Sequence, residues 1–260
     1  MNSMEKIRIS KDDVIATVTL SNPGKLNAID ISMWHGLADA FRQLSSDDAL
    51  RCVIVTGAGG NFAAGADIEE FASVRSNYEQ GYAYHTKSIA EALDAIAACI
   101  HPTVAAIEGV CVGGGLEIAS CCDLRIAAPD SRFGIPINRL GFPLAPGELQ
   151  GLLQLVGKAT ALEILLEGRV FGAAEAKEKG LLHRIVDHVQ DEARRAAQRI
   201  AQGAPLAARM NKQLARRLSP PVPPLSDEEL RAAFSFFHSD DYREGVRAFL
   251  EKRTPDFKGN

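Results

Sequence analysis

A carboxylate and a run of glycines stand side by side in the middle of this chain. Glu117 follows Gly113, Gly114 and Gly115 with a single leucine between. The glycines let the backbone turn tightly and let a ligand approach it closely. Residues 103–107 are apolar and partly β-branched behind Pro102, which predicts a buried strand. Residues 116–122 contain few breakers and predict a buried helix, with another apolar strand at 124–128. A strand that turns into a helix leaves N–H groups unpaired at the positive end of the helix dipole. Such a turn suits either a phosphate or an oxyanion that forms during a reaction. No Gly-Lys-Ser/Thr follows the triplet, and no third glycine opens the helix at dinucleotide-fingerprint spacing. Helical spacing puts Gly114 and Glu117 on one side. A carboxylate beside an oxyanion site can act as a general base.

A second turn of the same kind lies upstream. Residues 51–56 read as a buried strand, 57–61 as a turn, and then comes Phe62-Ala63-Ala64-Gly65-Ala66-Asp67-Ile68. Gly65 is a tight turn, Ala66 stands where a following helix begins, and Asp67 lies in its first turn. Two backbone donors, one from each strand-to-helix turn, can therefore converge on one oxygen. A lone charge in an apolar helix is costly, so Glu117 faces either a polar cavity or an ion-pair partner such as an arginine. His85 and His101 are isolated histidines, best read as core or surface residues. No His, Cys or carboxylate cluster has metal-ligand spacing, so no metal is expected.

The elements that must position these residues follow from the rest of the chain. At 260 residues, with 46% hydrophobic and 24% charged residues, it can bury a large core. A net charge of −4 gives no sign of nucleic-acid binding. The five cysteines lack Cys-x-x-Cys spacing and read as reduced, buried thiols. No apolar run approaches the ~20 residues of a membrane span, and no signal-peptide core is seen, so a cytoplasmic protein is expected. Residues 7–20 read as two strands, and 31–44 as an amphipathic helix capped by Asp30. Residues 69–84 have no clean period and read as a mobile helix and loop. A helix marked by Ile89, Leu93 and Ile96 stops at His101-Pro102. Helices are predicted at 146–156, 159–166, 173–179, 190–202 and 204–218, with a short apolar stretch at 181–186. Residues 219–224 form a proline-rich, extended linker. Ser226 and Glu229 then form a capping box, Phe234 and Phe237 an apolar face, and Val246, Phe249 and Leu250 a closing amphipathic helix. Alternating strands and helices argue for an α/β fold with parallel pairing.

These motifs carry a resemblance. Phe62 to Ile68, Gly-Gly-Gly-Leu-Glu at 113–117, Cys-Asp-Leu-Arg-Ile-Ala at 122–127, Phe133-Gly134, Arg243-Glu244-Gly245 and Phe249 to Arg253 are similar, in order, to the enoyl-CoA hydratase/isomerase (crotonase) family. The resemblance implies an α/β fold: a crotonase-like ββα spiral core over 1–200 and a C-terminal helical lobe over 201–260. In the family that lobe helps make trimers, often paired into hexamers. It implies an enzyme acting on acyl-CoA thioesters, with coenzyme A as part of the substrate and no other cofactor, and neither a nucleic-acid nor a membrane partner. Ala66 and Gly114 would supply the oxyanion donors and Glu117 the acid/base. Lys25, Leu26 and Ala28 match the segment that meets the CoA nucleotide. Ala64, Asp67, Ile68, Gly113, Ile137 and Asn138 match substrate-lining positions, and Phe237 and Lys252 substrate or CoA contacts from the C-terminal lobe.

One departure bears on mechanism. Family hydratases carry a second glutamate in Phe-Gly-x-Pro-Glu, whereas this chain reads Phe133-Gly134-Ile135-Pro136-Ile137-Asn138. Isoleucine cannot move a proton. The resemblance then implies hydration of a 2-enoyl-CoA with Glu117 as the one protein acid/base, Asn138 orienting a water, and Glu148 on a solvated face. A double-bond isomerase, a thioester hydrolase, a decarboxylase and a catalytically silent CoA-binding protein are the alternatives.

Overall fold

The computed structural model describes residues 6–219 and 225–258. β1 (Ile7–Asp12) and β2 (Ile15–Leu20) form an antiparallel hairpin, with Ala16, Val18 and Leu20 buried on one face. α1 (Ile31–Ser45) starts at Asp30, whose carboxylate accepts from Met33 N at 2.9 Å. Its Met33, Trp34, Leu37, Phe41 and Leu44 are buried, the helical stripe expected of an amphipathic segment. β3 (Cys52–Gly57) follows. The stretch without a clean period folds as α2 (Phe71–Val74), α3 (Tyr78–Ala83) and a π-helical turn at Tyr84–Ile89, which runs into α4 (Ala90–Ala98).

The central unit is β4 (Thr103–Ile107), β5 (Val110–Val112), α5 (Gly114–Cys121), β6 (Leu124–Ala127) and β7 (Arg132–Gly134). Then come α6 (Pro146–Glu167), β8 (Phe171–Gly172), α7 (Ala173–Glu178), β9 (Arg184–Ile185), α8 (Val189–Gln202) and α9 (Pro205–Leu218). α10 (Asp227–Ala233) and α11 (Asp240–Leu250) close the chain.

Two sheets result, one ordered β1-β2-β3-β4-β6-β9 and one β5-β7-β8. In the larger sheet every pair after the hairpin is parallel. Parallel strands covered on both faces read as continuous apolar runs, and both faces are covered here. Val53, Val55, Ala105 and Ile107 join one apolar cluster with α1 and α4, while Cys52, Ile54, Val104 and Ala106 meet Val189, Ala193 and Ala197 of α8. Phe234, Phe237 and Tyr242, from beyond α10 and in α11, belong to the larger cluster. All five cysteines are free.

Three details differ from or sharpen the sequence reading. The helices predicted at 146–156 and 159–166 form one run, α6, broken at Gly157, whose φ of +74° and ψ of 169° are not helical. At 22 residues α6 is, against expectation, long and apolar enough to cross a bilayer. It is broken at Gly157, carries a buried glutamate in its first turn and packs on α5. The capping box forms: Ser226 N donates to Glu229 Oε2 at 2.8 Å and Glu229 N to Ser226 Oγ at 3.2 Å. Of the predicted linker, 220–224 lie outside the described residues.

Candidate active site

Two turns meet at the head of α5. Gly113 takes φ +51° and ψ −123°, a conformation open in practice to glycine alone. Its N–H donates to Gly134 O at 2.9 Å, and Glu117 N returns to Gly113 O at 3.0 Å. The facing turn at Gly65, φ +97°, is pinned by Ile29 N donating to Gly65 O at 2.7 Å and Asp67 N to Ile29 O at 2.9 Å. Asp67 then caps a one-turn 3-10 helix at Ile68–Glu70, so Ala66 precedes that helix rather than opening it. A Cβ built on Gly65 would stand 3.8 Å from Gly114 N, and one on Gly114 would stand 3.7 Å from Ala66 N. Neither the Ala66 nor the Gly114 N–H has an acceptor among the described residues. The far end of α5 is anchored by buried Arg125, whose Nη1 donates to Ala119 O at 3.2 Å and Nε to Leu181 O at 2.8 Å.

These turns form one wall of a cavity of about 480 Å³ that Glu117, Glu148, His85 and Arg75 also line. Glu117 is buried in the first turn of α5, and its carboxyl makes no ion pair or hydrogen bond among the described residues. The expectation that Glu148 sits on a solvated face is overturned. Glu148 is 4% exposed. It is the third residue of α6, whose N-terminus opens behind Pro143 and Pro146 toward α5, and this aims its side chain inward. His85 is likewise a cavity residue: its Nδ1 lies 2.5 Å from Glu148 Oε1. Burial pushes the His85 imidazole down in pKa, toward the neutral form. In its Nδ1–H tautomer His85 donates to the Glu148 carboxylate. His85 Nε2 is buried without a partner.

Burial first, and the charge of Glu148 second, push the Glu117 carboxyl well above its ordinary 4.5. A carboxyl with a raised folded-state pKa stabilises the fold below its ordinary value and loses that contribution as pH rises through the folded value. Glu117→Gln, which stays neutral, is therefore expected to raise Tm relative to the parent at about pH 9 and to lose that advantage toward about pH 5. Thermal melts across this range check it, and a constant difference would count against a protonated Glu117.

The structure brings most of the other sequence-predicted residues to the same cavity and leaves four elsewhere. Lys25, Ala28, Ala64, Asp67 and Ile68 line it together, as do Gly113 and Ile137. Lys25 Nζ is held by Asp67 at 2.6 Å and Glu69 at 2.7 Å, and Leu26 O accepts from Ala64 N at 3.1 Å. The Leu26 side chain points to solvent, 53% exposed, because its backbone takes a left-handed φ of +49°. Asn138 does not reach the cavity: it is exposed and donates to Leu166 O at 2.9 Å, at the C-terminal end of α6. Phe237 packs behind the wall against Gly81, Arg75 and Tyr242. Lys252 is exposed beyond α11, outside the cavity.

The enoyl-CoA hydratase/isomerase family model matches residues 10–260. The chain belongs to the enoyl-CoA hydratase/isomerase family. A probable enoyl-CoA hydratase of Mycobacterium bovis is 36% identical over 258 residues, 97% of this chain and 98% of the relative. An enoyl-CoA hydratase/carnithine racemase structure from Magnetospirillum magneticum is 46% identical, with a TM-score of 0.82 over 99% of this chain and 97% of the other. A methylmalonyl-CoA decarboxylase bound to 2-nitronate-propionyl-CoA superposes with a TM-score of 0.88 at 26% identity, covering 98% and 99%. In this member of the enoyl-CoA hydratase/isomerase family, Ile137 is apolar wall, and Glu148, eleven positions later in the sequence, supplies a second buried carboxyl. The sequence offered one signal for it, a glutamate two residues after the proline that opens a helix. Nothing local in the sequence marks Arg75 or His85 as cavity residues.

Proposed function

We propose that the protein is a 2-enoyl-CoA hydratase whose acid and base are Glu117 and Glu148. The observation that carries this reading is the pair of carboxyl groups, from α5 and α6, in one buried cavity beside two N–H groups without acceptors. The thioester oxygen sits between the Ala66 and Gly114 N–H groups, which take up the negative charge of the enolate. Donors of this kind are worth several kcal/mol in a dry site, since losing one costs about 3–4 kcal/mol. Water is held between the carboxyls. Glu148, hydrogen-bonded to His85, takes a proton from water as oxygen bonds to the β carbon. Glu117, protonated at rest because of its burial, gives its proton to the α carbon. The pair ends with the proton on Glu148, and solvent exchange as product leaves restores the starting state. Lys25 lies at the cavity mouth with Asp67 and Glu69, as a residue for the CoA portion.

Loss of enoyl-thioester absorbance with crotonyl-CoA tests the reading, with a 3-enoyl-CoA and saturated acyl-CoAs run beside it. Hydration of crotonyl-CoA is expected. Turnover of the 3-enoyl-CoA alone would make it an isomerase, and release of free CoA a hydrolase.

The same proposal includes assembly as a homotrimer or a dimer of trimers. α9 buries none of its residues and exposes Leu206, Met210, Leu214 and Leu218 at intervals of four, one face of a helix. A stripe of this size is characteristic of a surface that another copy covers. Met210→Glu combined with Leu214→Glu is expected to turn the assembly into monomers in sedimentation at micromolar concentration. A parent that already sediments as a monomer would refute the assembly.

A further inference from the structure

Arg75 is the least explained charge in this protein. It follows α2 and is 1% exposed, yet it pairs with no carboxylate among the described residues. Its guanidinium lies 4.2 Å from the Phe71 ring centre and 4.3 Å from that of Phe142, with Phe237 at 5.1 Å and Tyr242 at 5.3 Å. Aromatic faces attract a cation and fix its plane. They do not satisfy its N–H donors, of which a guanidinium has five. One hydrogen bond is made: Nε donates to Tyr242 Oη at 3.1 Å. Nη2 is buried with no acceptor among the described residues. Glu148 is near enough to act on Arg75 electrostatically, but its oxygens go to His85 Nδ1 and, at 3.4 Å, to Ala145 N. Buried charges are ordinarily paired, because an unpaired one costs far more than a neutral group.

Arg75 also lines the cavity, and it shares the aromatic cluster of His85, which lies 6.5 Å from Phe142 and 6.3 Å from Phe237. That places it on the Glu148 side of the cavity. A thioester bound at Ala66 and Gly114, with its nucleotide end at Lys25, sends the far end of its acyl chain toward this side.

We infer that Arg75 is the receptor for a carboxylate at the far end of the acyl group, so that the substrate is the mono-CoA thioester of a dicarboxylic acid. The inference rests on the acyl-thioester reading proposed above. A guanidinium presents two parallel N–H groups that match a carboxylate bidentately. A site built to hydrogen-bond a substrate group rejects the analogue lacking it far more strongly than an apolar pocket rejects a missing methylene. A simple alkyl chain leaves Arg75 buried and unpaired, and a carboxylate pairs it.

Calorimetry on the intact protein tests this with unreactive, saturated ligands in matched pairs: succinyl- against butyryl-CoA, glutaryl- against valeryl-CoA, and adipyl- against hexanoyl-CoA. At least one carboxylate-ended member is expected to bind at least about tenfold tighter than its alkyl partner, and Arg75→Met to remove that preference while alkyl binding is retained or improved. Equal or weaker binding of every carboxylate-ended ligand overturns the inference, and this comparison needs no variant, so it decides even if Arg75→Met fails to fold. An equal loss for both members of a pair in Arg75→Met also overturns it, since that is the mark of a structural residue. The hydratase reading fails separately. If neither the alkyl-ended nor the carboxylate-ended 2-enoyl-CoA is hydrated while the binding preference holds, the reaction is wrong and the receptor stands. If hex-2-enoyl-CoA is hydrated and no preference exists, the receptor is wrong and the reaction stands.

Discussion

Glu148→Gln is expected to lower kcat for crotonyl-CoA hydration by about 100- to 10,000-fold, as much as Glu117→Gln does, since each removes a positioned proton donor or acceptor. Both amides are close in size to the acids they replace, so CoA-ester binding, read by calorimetry, is expected to change little. The two variants should differ in their pH profiles. Glu117 sits high because of its own burial and because Glu148 is charged beside it. In the parent, activity requires a protonated Glu117, so kcat falls as pH rises through its elevated pKa. In Glu148→Gln that charge is gone, and the alkaline limb of the residual activity shifts to lower pH. The limb belongs to the pair rather than to one residue, so the shift is the useful readout. His85→Ala leaves Glu148 in place without its N–H donor, and is expected to fall between parent and Glu148→Gln. If Glu148→Gln melts early but hydrates at the parental rate, Glu148 is a structural cap for α6 and the chemistry belongs to Glu117 alone.

The unequal legibility of the two carboxyls has a physical cause. Glu117 was readable because local sequence sets everything it needs: a strand, a glycine turn and a helix start within fifteen residues of Thr103. The turn at Gly65 beside Ala66 was readable for the same reason, but the helix start was not, since the 3-10 turn begins at Ile68. The parallel sheet, Asp30 at the head of α1 and the Ser226–Glu229 box are also local patterns, in which one residue or one period specifies the element. Glu148 and His85 are 63 positions apart, and their contact exists only because α6 packs against the π-helical turn before α4. Taken alone, each is an unremarkable polar residue near a helix end. Arg75 was hidden more deeply, because its surroundings are five aromatic rings from four separate segments of chain. Asn138 failed for the opposite reason. Motif alignment fixed its position, but a 3-10 turn at Ile137–Leu140 rotates its side chain out to Leu166 O while Ile137 faces in. Position in a motif gives backbone placement, and side-chain direction needs the turn that follows.

Gly113→Ala is expected to cost about 100- to 1,000-fold in kcat, the loss that follows removal of one oxyanion donor. At φ +51° and ψ −123° an alanine is strained by roughly 1–3 kcal/mol, and its Cβ would stand 3.4 Å from Gly65 Cα across the gap between the two turns. The strain is relieved most easily by rotating the peptide that joins residues 113 and 114, and that peptide carries the Gly114 N–H. The donor turns away from the thioester oxygen. Because it bonds most strongly to the enolate, kcat and kcat/KM should fall together, with KM little altered. Strain also lowers stability, so the effect on the site must be separated from the effect on the fold. Gly157 supplies the control. It too has a positive φ, +74°, nothing lies within 4 Å of a Cβ built there, and it sits at the break in α6. Gly157→Ala should lower Tm comparably and leave kcat close to the parent. Equal losses of activity in the two variants would mean that backbone strain acts through general destabilisation, and the Gly114 N–H would lose its assigned part in the reaction.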